Sequence, residues 1–406
     1  MRFLHAADLH LGLGVTRFGK EVNNRVREAR FQALDKLMKV AKDRQVDCVL
    51  IAGDLFDDNH IDAATSRRAQ KMLDSLGIPV FIISGNHDPF TADSVWERPP
   101  WSTENAGQVH VLRAPQPLRL ANEVTLYPCP LTRKTSLEDP TRWIPRRAAG
   151  DTTIRIGIAH GSLRDREHLP EDDHLIDRYV VDECGLDYLA LGHWHRPSRY
   201  PDRHRVIRTV YPGVHEPMRF PASADFATGW TPYSNAANSD LFSDDGRGRV
   251  VVVTIDRAGA EPALEEIEVG HLSWVEECRL LQHEDDLAKL IENLATRPNP
   301  EKQMLRLRLE GVLSPKALAT LDELDASLTG GDGEGVLRRY CWADLSIDGL
   351  HAAPEEADLR QVVGAGVLRT VYQRLQEEAS AADDDVKQTA AQALLVLYRL
   401  ARDTQR

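Results

Sequence analysis

Short apolar runs recur along the first half of the chain, and a carboxylate, amide or imidazole follows each of them. The run at residues 47–52 ends at Gly53 and is followed by Asp54. Four other runs end in the same way: 2–7 before Asp8 and His10, 79–84 before Asn86, His87 and Asp88, 154–159 before His160, and 187–191 before His193 and His195. Runs of this kind, bounded by glycine, are typical of buried β-strands. Because sites in open sheets lie at the carboxyl ends of strands, we predict that these side chains form one metal site.

Between the first strands the apolar spacing changes to the period of a helix. Residues 24–44 carry an apolar stripe that includes Leu34, Leu37 and Ala41, and residues 62–76 carry a similar one before Gly77 and Pro79. Strands that alternate with helices predict a largely parallel sheet covered by helices.

The second half of the chain has a different pattern. Residues 217–248 are rich in Pro, Ser, Asn, Asp and Gly, which predicts a long loop. A new apolar run starts at 249, followed by an alternating run at 305–309, a helix that opens at Ser314 and a strand at 340–347. Residues 355–378 and 385–402 predict two amphipathic helices. We therefore expect an α/β domain at 1–248, a small α/β capping domain at 249–350 and a helical pair at 351–406.

Composition narrows the class of protein. The chain has 406 residues, 42% of them hydrophobic and 28% charged, which fits two or three globular domains. No apolar run reaches the ~18 residues of a membrane span, and no leader precedes the first strand, so we expect a cytoplasmic protein. Five scattered cysteines suggest reduced core thiols. A net charge of -13 argues against a binder of nucleic acid with a broad basic face.

The set of donor groups points to the metal and to its chemistry. Carboxylates, imidazoles and an amide suit Mn, Fe or Zn better than a soft metal. Asp54 stands on the central strand and is the natural bridge between two ions held ~3.5–4 Å apart. Such a pair activates water and clamps a phosphoryl group. Each motif alone is common in packed or solvent-facing positions, but all five in this order favour a dinuclear site over coincidence.

These motifs resemble the signature of the calcineurin-like metallophosphoesterases. Within that family the likeness is to the SbcD-type and meiotic recombination eleven-type DNA repair nuclease subunits, carried by residues 8–12, by residues 53–57 and by Tyr211-Pro212-Gly213. The resemblance covers about residues 1–215. It implies a two-sheet sandwich flanked by helices, followed here by the small α/β cap and the helical pair.

The resemblance also implies residue roles. It places two divalent ions, with Mn²⁺ as the expected metal, on a set of seven ligands: Asp8, His10, Asp54 and His195 on one ion, and Asp54, Asn86, His160 and His193 on the other. His87 would face the phosphate and protonate the leaving oxygen or stabilise charge, with Asp88 orienting it. Some of these nucleases have histidine where this chain has Asp57, so the help of that imidazole is absent here or comes from another group. His60 is a candidate, although a plain surface position explains it better.

The implied function is a Mn-dependent exo- and endodeoxyribonuclease in DNA repair. It would form a homodimer and work with an SbcC-like (Rad-fifty-type) coiled-coil ATPase that the terminal helices hold. The alternative is a phosphatase or phosphodiesterase that acts on a small molecule or a phosphoprotein. A third possibility is a binding scaffold on an inactive phosphoesterase fold, and the complete ligand set argues against it. A basic run could follow the DNA backbone or form a solvated face, and its candidate DNA contacts are Arg196, Arg199 and Arg205.

Overall fold

The computed structural model describes residues 1–102, 107–120, 123–164, 170, 173–221, 246–281, 284–313, 335–352, 367–379, 389–390, 393–394 and 397. The chain divides into two compact units. The first comprises Met1–Val275 and Lys302–Met304, and the second comprises Glu276–Glu301 and Leu305–Arg406. Within the described residues, no helix is long and apolar enough to cross a membrane.

Two six-stranded sheets form the first unit. One sheet contains β1 (Arg2–Ala6), β2 (Cys48–Ala52), β3 (Val80–Ile83) and β4 (Val109–Val111), and its other members are β11 (Arg249–Thr254) and β12 (Ala263–Glu268). Its strand order is β12-β11-β1-β2-β3-β4, in which β1 to β4 run parallel. The second sheet contains β5 (Leu118–Leu120), β6 (Val124–Cys129), β7 (Ile154–His160), β8 (Tyr188–Gly192), β9 (Ser198–Pro201) and β10 (Ile207–Tyr211), in the order β5-β6-β7-β8-β10-β9.

Three helices accompany these sheets: α1 (Gly19–Asp43), α2 (Ala63–Asp74) and α3 (Val180–Cys184). Short 3-10 turns lie at Thr16–Phe18 and Val95–Glu97. Asp62 caps α2 by accepting hydrogen bonds from the backbone N–H groups of Ala64 and Thr65. Gly77, which follows α2, adopts a left-handed backbone (φ 73°) that glycine tolerates without strain. The observed bounds of α2 lie close to the predicted ones, whereas α1 begins at Gly19, five residues before the predicted start.

The sheets pack face to face, with helices outside. Leu50 and Phe81 from one sheet share a buried core with Ile156 and Tyr188 from the other. The outer face of the first sheet packs against α1 and α2, and that of the second packs against α3 and its flanking segments. Apolar side chains therefore fill three layers, which confirms the predicted two-sheet sandwich flanked by helices.

The strand β11 belongs to the first sheet and not to a capping domain. It pairs antiparallel with β1, with Arg2 opposite Thr254 and His5 opposite Val251. The four consecutive valines 250–253 are buried on both faces, as a central strand requires. The predicted start of the cap at 249 is therefore wrong, and the first unit extends to Val275.

The second unit is built around a three-stranded sheet with the order β13-β14-β15. Its strands are β13 (Ser273–Leu281), β14 (Gln303–Leu313) and β15 (Trp342–Ala352), accompanied by α4 (Glu284–Thr296), α5 (Val367–Ala379) and 3-10 turns at Pro300–Lys302 and Val336–Arg339. The Tyr340 hydroxyl donates to the carbonyl of Leu294 at the end of α4 (3.0 Å). The helix predicted from Ser314 lies outside the described residues.

Only part of the predicted helical pair is described. Its first helix is seen as α5, and the second is represented by residues 389–390, 393–394 and 397. Tyr372 and Leu375 on α5 pack with Leu394 and Leu397, so the two predicted helices contact each other through their apolar stripes. The proposed domain boundary at 351 falls beside residues 353–366, which lie outside the described part of the chain.

Candidate metal centre

The ends of β1 and β2 are locked together by their backbones. Asp8 N–H donates to the carbonyl of Gly53 (3.2 Å), and His10 N–H donates to the carbonyl of Asp54 (3.0 Å). Asp8, His10 and Asp54 all adopt left-handed conformations, with φ of 53°, 43° and 51°. Such conformations are costly for residues other than glycine, and they cluster at functional sites. Three polar side chains at this end of the sheet are therefore held in strained backbone conformations.

Glycines let the strand ends approach closely. A Cβ placed on Gly53 would lie 2.2 Å from Nδ1 of His160, and one on Gly85 would lie 2.1 Å from Oδ1 of Asp54. Neither space can hold a methyl group unless a ligand side chain moves. The glycines that mark the strand ends in the sequence therefore allow the two sheets to share one site.

One set of donor atoms gathers around His10. The donor atoms of Asp8, His10 and His195 lie within 4.8 Å of one another. Nε2 of His10 is 3.2 Å from Nε2 of His195 and 3.6 Å from Oδ2 of Asp54. All these side chains are buried or half-buried.

A second set gathers around Asn86. Its Oδ1 lies 2.8 Å from Nε2 of His160 and 3.1 Å from Nδ1 of His193. Nε2 of His160 lies 3.3 Å from Oδ2 of Asp54. The same carboxylate oxygen of Asp54 therefore faces both sets, and its role as a bridge between two ions stays a prediction.

The hydrogen bonds on the outer side of the imidazoles show that the site fits cations. Nδ1 of His160 is 2.9 Å from the carbonyl of Ala52, Nδ1 of His10 is 3.1 Å from Oδ1 of Asp57, and Nε2 of His193 is 3.1 Å from Oδ1 of Asp173. An N–H on each outer nitrogen leaves a lone pair on the inner nitrogen, as metal-ligating histidines require. The inner nitrogens of His10 and His195, 3.2 Å apart, repel unless a proton or a cation lies between them, so this donor set fits a divalent ion.

Burial and charge set the protonation of the site. Burial raises the pKa of Asp8. Burial also opposes ionisation of Asp54, but the charges of His160 and its neighbours outweigh it and hold the pKa of Asp54 well below its usual range. Burial disfavours the charged form of His160, yet the Asp54 carboxylate raises the pKa of His160 to about 9. Asp54 and His160 thus favour each other's charged forms, and a divalent cation can take the place of the proton on His160.

His87 is held at the edge of both sets. Its backbone N–H donates to Oδ1 of Asp54 (2.9 Å), and its ring lies edge-on against His10 with centroids 4.7 Å apart. Nδ1 of His87 is 2.8 Å from the carbonyl oxygen of Asp57. That contact orients the ring, and a ring nitrogen of His87 lies within 4.8 Å of donor atoms of His10 and Asp54.

Asp88 has a different role from the predicted one. Its buried carboxylate accepts hydrogen bonds from the backbone N–H groups of Gly85 (2.7 Å) and Phe56 (3.0 Å). The prediction that Asp88 orients His87 is therefore wrong, because the carbonyl of Asp57 receives that hydrogen bond. Asp88 fixes the loops after β2 and β3 against each other. Burial, followed by the charge of Asp54, raises the pKa of Asp88 to about 7.

Two carboxylates that lie behind the predicted ligands, Asp57 and Asp173, could not be recognised as supporting groups from the sequence. The sequence marks Asp57 only as a departure from the family pattern. It gives no signal for Asp173, which faces His193 and accepts a hydrogen bond from the hydroxyl of Ser162. Asp173 lies in a segment without strand or helix periodicity, so no local pattern singles it out. His60 lies at the surface, 94% exposed, as the simpler explanation predicted.

The basic residues after His195 do not share one environment. Arg196 lines a small depression together with the predicted ligand His195 and with Arg219. Arg199 forms an ion pair with Glu266 (2.5 Å). Arg205 occupies the exposed turn between β9 and β10. Of the three predicted DNA contacts, Arg196 is the one that lies beside a predicted metal ligand, His195.

Comparisons with known proteins agree with this geometry. Residues 1–197 match the family described as calcineurin-like phosphoesterase, so the chain carries a calcineurin-like metallophosphoesterase domain. Over 434 residues the chain is 25% identical to an uncharacterized metallophosphoesterase, YhaO of Bacillus subtilis, covering 98% of this chain and 97% of YhaO.

Two other relatives carry functional names. The chain is 26% identical to the DNA double-strand break repair protein Mre11 of Methanopyrus kandleri, over 72% of this chain and 64% of that protein. It is 25% identical to the SbcD component of the nuclease SbcCD of Bacillus subtilis, over 66% of this chain and 69% of that component. The domain is thus that of a metal-binding hydrolase with nuclease relatives.

Proposed function

We propose that this protein is a Mn²⁺-dependent nuclease that hydrolyses phosphodiester bonds of DNA in cytoplasmic DNA repair. The observation that carries the proposal is the position of Asp54, whose carboxylate faces one donor set around His10 and another around Asn86. Two divalent ions bound there would supply a nucleophile at neutral pH and neutralise the charge of the phosphate.

The chain's own groups account for the rest of the chemistry. His87 is restrained through its backbone by Asp54 and through its ring by the carbonyl of Asp57. A proton on Nδ1 is committed to that carbonyl, so Nε2 can exchange a proton with the substrate. In its protonated form, His87 donates from Nε2 to the leaving oxygen as the ester bond breaks, which is general acid catalysis worth about 10²–10⁴-fold.

Two features support DNA as the substrate. The named relatives include a DNA repair protein and a nuclease component. Arg196 and Arg219 line the depression beside His195, where the phosphates that flank a scissile bond would pass. The net charge of -13 leaves little general affinity for DNA, which fits an enzyme whose partner supplies much of the binding.

The partner in this proposal is an SbcC-like coiled-coil ATPase, and α5 is its candidate docking element. Leu368 and Val371 on α5 are 43% and 41% exposed, although Tyr372 beside them is buried. An amphipathic helix with exposed apolar side chains suits recognition in a hydrophobic groove. We propose that the active form is a homodimer that carries this ATPase.

A second candidate is a phosphatase or phosphodiesterase of a small molecule or phosphoprotein. The acidic net charge favours it, because a small substrate needs no basic track. The same metal centre would serve either reaction, so the substrate decides between them.

The test compares three substrates with and without Mn²⁺: a labelled hairpin duplex DNA, a chromogenic phosphodiester and a chromogenic phosphomonoester. We expect Mn²⁺-dependent cutting of the DNA and of the diester. The Asp54→Asn variant, which keeps the size of the side chain, controls for contaminating nucleases and should be inactive. Efficient hydrolysis of the monoester alone would favour the phosphatase and contradict the nuclease.

A further inference from the structure

Asp57 touches the outer nitrogens of two imidazoles at once. Its carboxylate Oδ1 lies 3.1 Å from Nδ1 of His10, and its backbone carbonyl lies 2.8 Å from Nδ1 of His87. The residue is itself anchored by its backbone N–H, which donates to the carbonyl of Leu11 (3.3 Å). One residue thus supports a metal ligand through its side chain and the proposed acid through its main chain.

We propose that Asp57 is a positioning residue with two separable effects. Its carboxylate fixes the tautomer and orientation of His10 and so sets the affinity for the ion on that side of the site. Its carbonyl fixes the ring of His87. The inference rests on the proposed function, since it presumes that divalent ions bind at this centre.

The carboxylate contact is the stronger of the two. A hydrogen bond to a charged acceptor is about twice as strong as one between neutral groups. A carboxylate behind a ligating histidine also makes the inner nitrogen a better donor, and losing such a partner typically lowers metal affinity 10–100-fold. Of the imidazoles whose outer contacts are described, His160 has only the neutral carbonyl of Ala52 behind it. His193 has Asp173 in the corresponding place.

The same geometry explains how this chain does without a histidine after Phe56. The substituted side chain is turned to a metal ligand, and the orientation of His87 depends on a peptide oxygen that every residue at position 57 provides. Replacing the side chain of Asp57 should therefore weaken one ion and leave the chemistry of His87 intact.

Titration of the full-length protein with Mn²⁺, followed by calorimetry and by electron paramagnetic resonance, tests this inference. We expect two ions in the wild type. For Asp57→Ala we expect 10–100-fold weaker binding of one of them, with the spectrum of a single ion at intermediate Mn²⁺. Asp57→Asn should fall between the two, since its amide oxygen still accepts from His10. Asp58→Ala is the matched control, because Asp58 is the neighbouring carboxylate, is 60% exposed and should leave both affinities unchanged.

Turnover at saturating Mn²⁺ separates positioning from chemistry. We expect Asp57→Ala to recover hydrolysis of a small phosphodiester to within a few-fold of the wild type, unlike a variant of His87. Wild-type affinity for both ions in Asp57→Ala would overturn the inference, and so would a loss of turnover that saturating Mn²⁺ does not restore. A wild type that binds no Mn²⁺ would instead overturn the proposed function, and this inference with it.

Discussion

Glu216 is a buried carboxylate, and we expect its ionisation to lower the stability of the fold near neutral pH. It accepts hydrogen bonds from the backbone N–H groups of His271 and Leu272. Burial raises the pKa of Glu216 from 4.5 to about 7, although these hydrogen bonds and the charge of Arg30 oppose the shift. The buried guanidinium of Arg30 donates to the backbone carbonyls of Leu9 and Glu216, and so it neutralises the carboxylate only at a distance.

The sign and size of the effect follow from the raised pKa of Glu216. Between pH 4.5 and about 7, the carboxyl group of Glu216 is protonated in a larger fraction of folded chains than of unfolded chains. The free energy of unfolding must therefore decrease as the pH rises through that window. At about 1.4 kcal/mol per pKa unit, the decrease amounts to roughly 3 kcal/mol.

Glu216→Gln removes the titration and keeps an amide oxygen as an acceptor. Urea unfolding of both proteins with a metal chelator, at intervals between about pH 4.5 and 8, measures the difference in stability. We expect the wild type to lose about 3 kcal/mol relative to the variant as the pH rises across this range. A difference that stays constant would refute the reasoning, because it would mean that the pKa of Glu216 is the same in the folded and the unfolded chain.

Three further predictions concern function. His87→Ala should keep both ions and lose about 10²–10⁴-fold in turnover, whereas the exposed His60→Ala should change neither; loss of an ion in the first variant would make His87 a ligand. Arg196→Ala should raise KM for duplex DNA and leave a small phosphodiester unaffected, and equal effects on both substrates would argue against a DNA contact. The double substitution Leu368→Glu and Val371→Glu should abolish capture of an SbcC-like ATPase with hydrolysis of small diesters intact, and undiminished capture would place the partner elsewhere.

The central site could be predicted because its signals are local. A buried strand followed by glycine and a polar residue is visible within one short window, as at Gly53 and Asp54, and parallel strands bring such windows together at one edge. The position of Asp54 between the donor sets follows from the middle place of β2 in the sheet.

Features that depend on long-range pairing could not be predicted. The apolar run of β11 marks a buried strand, but nothing within it specifies β1 as the partner across most of the chain. The contacts of Asp57, Asp88 and Asp173 are set by loop conformation, where a carboxylate has no periodic pattern to reveal its partner. The groups that support the predicted ligands are therefore the part of the site that only the three-dimensional structure reveals.

The metal content of the Asp54→Ala variant is the most direct measure of whether Asp54 holds two ions together. Elemental analysis of the wild type and the variant, both loaded with Mn²⁺ and freed of excess metal, should be paired with cutting of duplex DNA. We expect two ions per chain and nuclease activity in the wild type, with fewer ions and no cutting in a folded variant. A variant that keeps two ions, or a wild type that binds two ions without hydrolysing any phosphodiester, would contradict this expectation.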